Sequence, residues 1–115
     1  MKQAGFFQIL SDDTRLRALR MIAQHGELCV CELVHALEVS QPKISRHMAT
    51  MRDAEIVQPR RHAQWVFYGI SPALEIWQKQ ALSAAVDSMS DEPAAMNDSR
   101  RLTEMQARPE RCDAA

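Results

Sequence analysis

The sequence predicts a mainly helical α+β fold, a winged helix-turn-helix, in which two short helices joined by a tight turn are followed by a β-hairpin. Three observations predict it. Two apolar stripes of helical period lie close together within residues 30–51, the helical period ends at Ile56, and residues 65–68 are rich in β-forming side chains. A chain of 115 residues has room for one domain of ordinary size.

The composition is that of a globular protein. Hydrophobic residues make up 46% of the chain and charged residues 25%, which argues against a wholly disordered or fibrous chain. The 14 Lys and Arg are balanced by 15 Asp and Glu, giving a net charge of -1. This balance argues against a protein that holds nucleic acid through bulk positive charge. Any binding of nucleic acid must therefore depend on a local cluster of basic residues.

Three helices are predicted in the first half of the chain. The first begins after residues 11–13, whose side chains can cap it, and ends at Gly26. The second is about two turns long and covers residues 30–38. The third is capped by Ser40 and tolerates Pro42 in its first turn.

Two strands with a polar turn between them are predicted from Ile56 to Tyr68. Pro59 has no N–H to donate to a ladder, so its strand is predicted to be an edge strand at that point. A last long helix is predicted from Ser71-Pro72 to Met89, where apolar residues recur at helical spacing.

The chain is expected to divide into one folded domain, residues 1–89, and a flexible C-terminal tail, residues 90–115. The tail has few large apolar residues and two prolines. Residues 1–10 resemble neither a secretion signal nor a membrane span, so no membrane partner is expected. The three cysteines are an odd number, and a cytoplasmic, reducing location is the working assumption.

A local positive charge coincides with the third helix and the hairpin, the two elements that this fold presents to DNA. Residues 43–62 contain five Lys and Arg against two Asp and Glu. Gln41, Ser45 and Arg46 are expected to reach base edges, and Arg60 and Arg61 to hold phosphates. The full expected DNA-binding set is Ser40, Gln41, Lys43, Ser45, Arg46, His47, Thr50, Arg52, Arg60 and Arg61. The alternative is that these charges only solubilise a helix face and a hairpin turn.

Cys29 and Cys31 lie at the start of the second predicted helix and are candidate ligands for a soft metal or metalloid ion. Within a helix, side chains two residues apart point about 200° from each other. Joint ligation is therefore expected to require an unwound helix start. Two alternatives are open: both cysteines are small buried hydrophobes, or His25 or His35 completes a zinc site.

Three segments of the chain, residues 27–33, 40–48 and 64–68, strongly resemble the ArsR/SmtB family, most closely its arsenic-responsive repressors. The resemblance covers roughly residues 4–89. It implies a homodimeric repressor without a cofactor that binds double-stranded operator DNA and leaves it when As(III) or Sb(III) binds the cysteines. It also implies that the first and last helices form the dimer interface, with apolar surface from Phe6, Phe7, Leu10, Leu74, Trp77 and Leu82.

The chain departs from the family pattern at two positions. Val34 occupies the position of the family's third cysteine, so Cys112 is hypothesised to be the third ligand, from the same or the partner subunit; alternatively it is an unrelated terminal cysteine. Glu55 replaces the glycine that usually precedes the hairpin, which is expected to affect the entry angle of the wing.

Other functions are open at this point. A repressor of the same fold can sense another soft ion, such as Cd(II), Cu(I) or Zn(II), or oxidation of its thiols. A thiol enzyme is disfavoured because no Cys-x-x-Cys motif, anion-cradling loop or nearby base accompanies the cysteines, so the chain is not expected to be an enzyme. A protein-interaction module that uses the exposed hairpin is the third alternative.

Overall fold

A computed structural model describes residues 1–109 of the chain. Its elements follow one another in the order predicted for a winged helix-turn-helix, with additional elements at both ends. They are α1 (Lys2–Leu10), α2 (Asp13–His25), β1 (Leu28–Cys29), α3 (Val30–Leu37), α4 (Gln41–Asp53), β2 (Val57–His62), β3 (Trp65–Ile70), α5 (Ile76–Ser88) and α6 (Pro93–Glu104).

The helix-turn-helix is formed by α3 and α4, and the capping residues predicted both ends of α2 and the start of α4. The Asp12 carboxylate accepts the backbone N–H of Arg15 at 2.9 Å, which caps α2. Gly26, with a φ of 81°, ends α2, and Ser40 is the N-cap of α4. One face of α4 is fully buried, as predicted from its spacing; its residues are Ile44, Met48 and Met51.

The sheet has three antiparallel strands in the order β1-β3-β2, so the predicted hairpin acquires a third strand. The two residues of β1 pair with β3, Leu28 opposite Tyr68 and Cys29 opposite Phe67. Pro59 lies in the edge strand β2, as predicted. The hairpin of β2 and β3, called the wing below, is therefore attached directly to Cys29, the residue that precedes α3.

The last predicted helix begins later than expected, at Ile76 rather than at Ser71-Pro72. Ser71 makes a turn, in which its hydroxyl accepts the N–H of Ala73 at 3.1 Å. Glu75 then caps α5, and its own N–H is bound by the side chain of Gln78 at 2.8 Å. The Ser-Pro signal therefore marks a turn here, and the helix begins at the capping box that follows.

The expectation of a flexible tail from residue 90 is wrong for residues 93–104, which form the docked helix α6. Ala95 and Leu102 are buried beside Asp98, whose carboxylate is 0% exposed and bound by two arginines. The buried face of α6 is held partly by charge pairs and so contains few apolar residues. The apolar pattern of the sequence therefore did not predict this helix.

No helix within residues 1–109 is both long and apolar enough to cross a bilayer.

Candidate thiol site and nucleic-acid interface

The two cysteines of the candidate thiol site are already together in the folded chain. Cys29 ends β1 and is the N-cap of α3, with extended backbone angles of φ -90° and ψ 168°. Cys31 lies in the first turn of α3, and the two Sγ atoms are 2.8 Å apart. The expectation that the helix start must unwind to bring them together is wrong, because Cys29 lies outside the helix and the 200° rule does not apply to it.

The two thiols differ in exposure and chemistry. Cys29 is 2% exposed, whereas Cys31 is exposed. Burial and, after it, the hydrogen bond with Cys31 together raise the pKa of Cys29 to about 12, against the opposing effect of the hydrogen bond from the Glu32 N–H. At neutral pH Cys29 is therefore a protonated thiol, and Cys31 is the sulfur that an incoming ion meets first.

Glu32 holds the backbone of the thiol site in place and was missed in the sequence analysis. Its side chain is 0% exposed. One carboxylate oxygen accepts the N–H of Cys29 at 3.0 Å, and the other accepts Nε of Arg108 at 2.6 Å. The signal for Glu32 was present, since a Glu three residues after an N-cap is the spacing of a capping box. Arg108 had no such signal.

A cavity of about 290 Å³ connects the thiol site to both elements of the candidate DNA interface. Gln41 at the start of α4 forms one side of it, and the tip of the wing forms another. Its lining residues are Cys29, Val30, Cys31, Gln41, Gln64, Trp65 and Val66. The thiols therefore share a cavity with Gln41, one of the residues that are expected to touch DNA.

The zinc set suggested for His25 and His35 is not assembled. His25 is 3.0 Å from the hydroxyl of Ser99, and His35 lies exposed near the end of α3. In the part of the chain that the structure describes, no group of three or more His, Cys, Asp or Glu is arranged to hold a metal ion. Cys112, the hypothesised third ligand, lies outside the described residues.

Most residues of the expected DNA-binding set lie on the outer side of α4. The exposed ones are Ser40, Gln41, Lys43, Arg46, Thr50 and Arg52. Ser45 is half-buried and lies 3.3 Å from the side-chain nitrogen of Gln41, and Arg52 pairs with Asp53 at 3.0 Å. This face carries the positive charge that the sequence indicated.

His47 faces α2 instead of the outer side of α4. Its Nδ1 is 3.0 Å from Arg15 Nη1, and its Nε2 is 3.9 Å from the carboxylate of Asp12. The side chain is 22% exposed. The structure thus gives His47 a role in holding α4 on α2.

The two arginines of the wing have different environments. The Nε of Arg60 lies 2.9 and 3.1 Å from the two carboxylate oxygens of Glu27, and its guanidinium is 5.3 Å from the ring centroid of Phe67. Arg61, the next residue in the strand, points to the other face and is exposed. Arg61 is available to a phosphate, whereas Arg60 fastens β2 to the segment before β1.

Comparison with known proteins identifies the family. Residues 12–58 match the family described as bacterial regulatory protein, arsR family. The chain is 49% identical over 104 residues to the arsenic resistance transcriptional regulator ArsR1 of Pseudomonas putida, which covers 90% of this chain and 80% of that protein. It is 46% identical over 105 residues to ArsR2 of the same organism, covering 91% of this chain and 90% of that protein.

A solved structure has the same fold. The AntR antimony-specific transcriptional repressor matches 76% of this chain and 77% of its own with a TM-score of 0.64 and 25% identity. All three similar proteins are named as transcriptional regulators or repressors. The chain therefore belongs to the arsR family of bacterial regulatory proteins and is a transcriptional regulator rather than an enzyme.

Proposed function

We propose that the chain is a cytoplasmic, metalloid-responsive repressor that binds double-stranded operator DNA as a homodimer and dissociates when As(III) or Sb(III) binds Cys29 and Cys31. The observation that carries the proposal is the pair of Sγ atoms 2.8 Å apart at the start of the helix-turn-helix. Two thiol ligands favour a soft ion. The names of the similar proteins, which refer to arsenic and antimony, support the choice of inducer.

The coupling between the two sites follows from their shared backbone. A metalloid bridging both sulfurs replaces their direct contact, so Cys29 or Cys31 must move. Cys29 is paired with Phe67 of the wing, and both cysteines border the cavity that reaches Gln41 of α4. A shift at the thiols therefore changes the relative position of α4 and the wing. Because the DNA groove fits only one arrangement of these two elements, the shift lowers the affinity of the protein for DNA.

The DNA contacts are proposed for the exposed side of this interface. Gln41, Ser45 and Arg46 read base edges, and the other exposed residues of α4 bind backbone together with Arg61. His47 and Arg60 serve the interface indirectly, because each is engaged by another part of the chain.

We retain Cys112 as the third thiolate, supplied by the same or the partner subunit. The contact between Arg108 and Glu32 returns the chain to the thiol site four residues before Cys112. Four residues span at most about 14 Å, a length that would allow Cys112 to reach the site. Cys112→Ser is expected to weaken arsenite binding and operator release; unchanged values identify it as an unrelated cysteine.

The central experiment is a gel shift with the DNA upstream of the chain's own gene, with and without arsenite. Wild-type protein is expected to bind this DNA and to be released by arsenite, whereas Cys29→Ser is expected to bind but resist release. Parallel additions of antimonite, cadmium, copper(I) and peroxide identify which inducer acts. The proposal fails if wild-type protein shows no salt-dependent DNA binding, or if arsenite releases Cys29→Ser as it does wild type.

A further inference from the structure

The C-terminal segment contacts both ends of α3, the helix that begins at the thiol site. At the C-terminal end of α3, Arg101 Nε donates to the carbonyl of Ala36 at 2.7 Å. Because Arg101 belongs to α6, this bond fixes α6 to the end of α3. The same arginine also pairs with the buried Asp98 carboxylate of α6 at 2.8 Å. At the N-terminal end, Arg108 donates to Glu32 at 2.6 Å.

Arg108 and Cys29 are joined through one buried carboxylate. Glu32 is 0% exposed; one of its carboxylate oxygens accepts from the backbone N–H of Cys29 and the other accepts from the guanidinium of Arg108. A buried carboxylate is costly without compensating partners. Loss of Arg108 removes a charged partner from this carboxylate and would draw water to it, so Glu32 would be held less firmly opposite Cys29.

We infer that Arg108 is a positioning residue for the thiol site, acting through Glu32 on the backbone of Cys29, with α6 as the anchor that delivers it. The inference rests on the proposed function in one respect, that the thiols bind a metalloid. It assigns to the C-terminal segment a role in sensing the metalloid. The helix-turn-helix and the wing do not require this role for contact with DNA.

The expected size of the effect follows from the behaviour of groups that orient metal ligands. Replacing such a group typically costs about 10- to 100-fold in metal affinity. Arg108→Ala is therefore expected to weaken arsenite binding about tenfold or more, and Arg108→Lys, which keeps a donor and the charge, to recover part of it. Arg100→Ala is the matched control, because Arg100 lies in α6 and, among residues 1–109, pairs only with exposed groups, at 3.1 Å from Glu104.

The first test measures the backbone of Cys29 without any inducer. Amide hydrogen exchange at Cys29, followed by NMR on the full chain, is expected to be faster in Arg108→Ala than in wild type and unchanged in Arg100→Ala. Unchanged exchange in Arg108→Ala overturns the inference. This readout does not depend on metalloid binding, so it remains decisive even if the proposed function fails.

The second test is titration with arsenite in a Cys112→Ser background, which removes any effect of Arg108 on the delivery of that cysteine. Weaker binding on adding Arg108→Ala, with no loss on adding Arg100→Ala, supports positioning through Glu32. If Arg108→Ala has no effect in this background, the inference is wrong and Arg108 acts only through the chain that follows it. If wild-type protein binds no arsenite at all, the proposed function fails; if only the Cys112→Ser protein binds none, Cys112 is an essential ligand. In both cases the exchange measurement decides the inference.

Discussion

At the residue scale, the chemistry of the thiol site depends on the position of Cys29 at the junction of β1 and α3. An N-cap residue has an extended backbone, which turns its side chain toward the first turn of the helix. This is why Cys29 and Cys31 meet although they are only two residues apart. Burial then makes Cys29 a weak acid, and the exposed Cys31 gives the site its access to solvent.

The pKa of Cys29 predicts how stability depends on pH. Burial raises it from an ordinary value of 9.0 to about 12 in the folded chain. In this range the unfolded chain loses a proton that the folded chain retains, so the stabilisation is complete below about pH 9 and is lost as pH rises toward 12. The free energy of unfolding, measured with urea between pH 8 and 10.5, is expected to fall more steeply for wild type than for Cys29→Ser. Equal slopes would contradict this assignment.

Glu55 shows the limit of a residue-level reading of the sequence. The replacement of a family glycine was visible, and an altered wing entry was expected. In the structure Glu55 adopts a φ of 59°, the left-handed conformation that favours glycine. Its N–H bonds the carbonyl of Arg52 at 2.9 Å, so the turn after α4 is closed in spite of the side chain. A sequence shows that a residue is unfavourable at a position, but not that the surrounding turn imposes the conformation.

At the element scale, the elements that the sequence predicted well are those with strong local signals. The helices α2 and α4 have capping residues and an apolar stripe, α3 has an apolar stripe, and the hairpin has a run of β-forming residues. The missed elements are stabilised by distant partners: β1 exists because Leu28 and Cys29 pair with β3, and α6 because arginines of α2 and α6 surround Asp98. The thiol pair was likewise found from the sequence, whereas the contact of Arg108 with Glu32 beside it was not.

Asp98 is the residue on which the docking of α6 depends. Its carboxylate is bound by Arg17 at 2.7 Å and by Arg101 at 2.8 Å, and the arginine side chains are only 22% and 20% exposed. Asp98→Ala leaves both guanidinium groups without their shared partner, so it is expected to lower the free energy of unfolding by about 3 kcal/mol. Urea denaturation followed by circular dichroism measures this loss.

The control for Asp98 lies on the same helix. Glu104 pairs with Arg100 on the exposed side of α6, where both side chains are 57% exposed. Glu104→Ala is expected to change stability by less than about 0.5 kcal/mol. If Asp98→Ala changes it as little, α6 is not held by its buried carboxylate and the flexible-tail expectation regains support.

At the scale of the whole molecule, the aromatic cluster and the positive charge lie on different elements. The aromatic side chains of α1 and α5 cluster at one side, where Phe6 and Trp77 have ring centroids 5.2 Å apart and Phe7 is 50% exposed. This surface suits the proposed homodimer. The positive charge lies instead on α4 and the wing, in a chain whose net charge is -1. A dimer through the first surface would leave the second open on both protomers.

The contrast between Arg60 and Arg61 tests this arrangement through the salt dependence of operator binding. Each phosphate neutralised by the protein contributes about -0.9 to the slope of log K against log salt. Arg61→Ala is expected to reduce that slope by about 2 in a homodimer, since each protomer loses about one contact. Arg60→Ala is expected to change the slope much less and to lower thermal stability instead, because Arg60 is already bound to Glu27. Fluorescence anisotropy at several salt concentrations gives the slopes.

Two outcomes would contradict this arrangement. Equal slopes for the two variants would show that Arg60 leaves Glu27 for a phosphate when DNA is present. A reduction of only about 1 for Arg61→Ala would show that one protomer alone places its wing on the duplex.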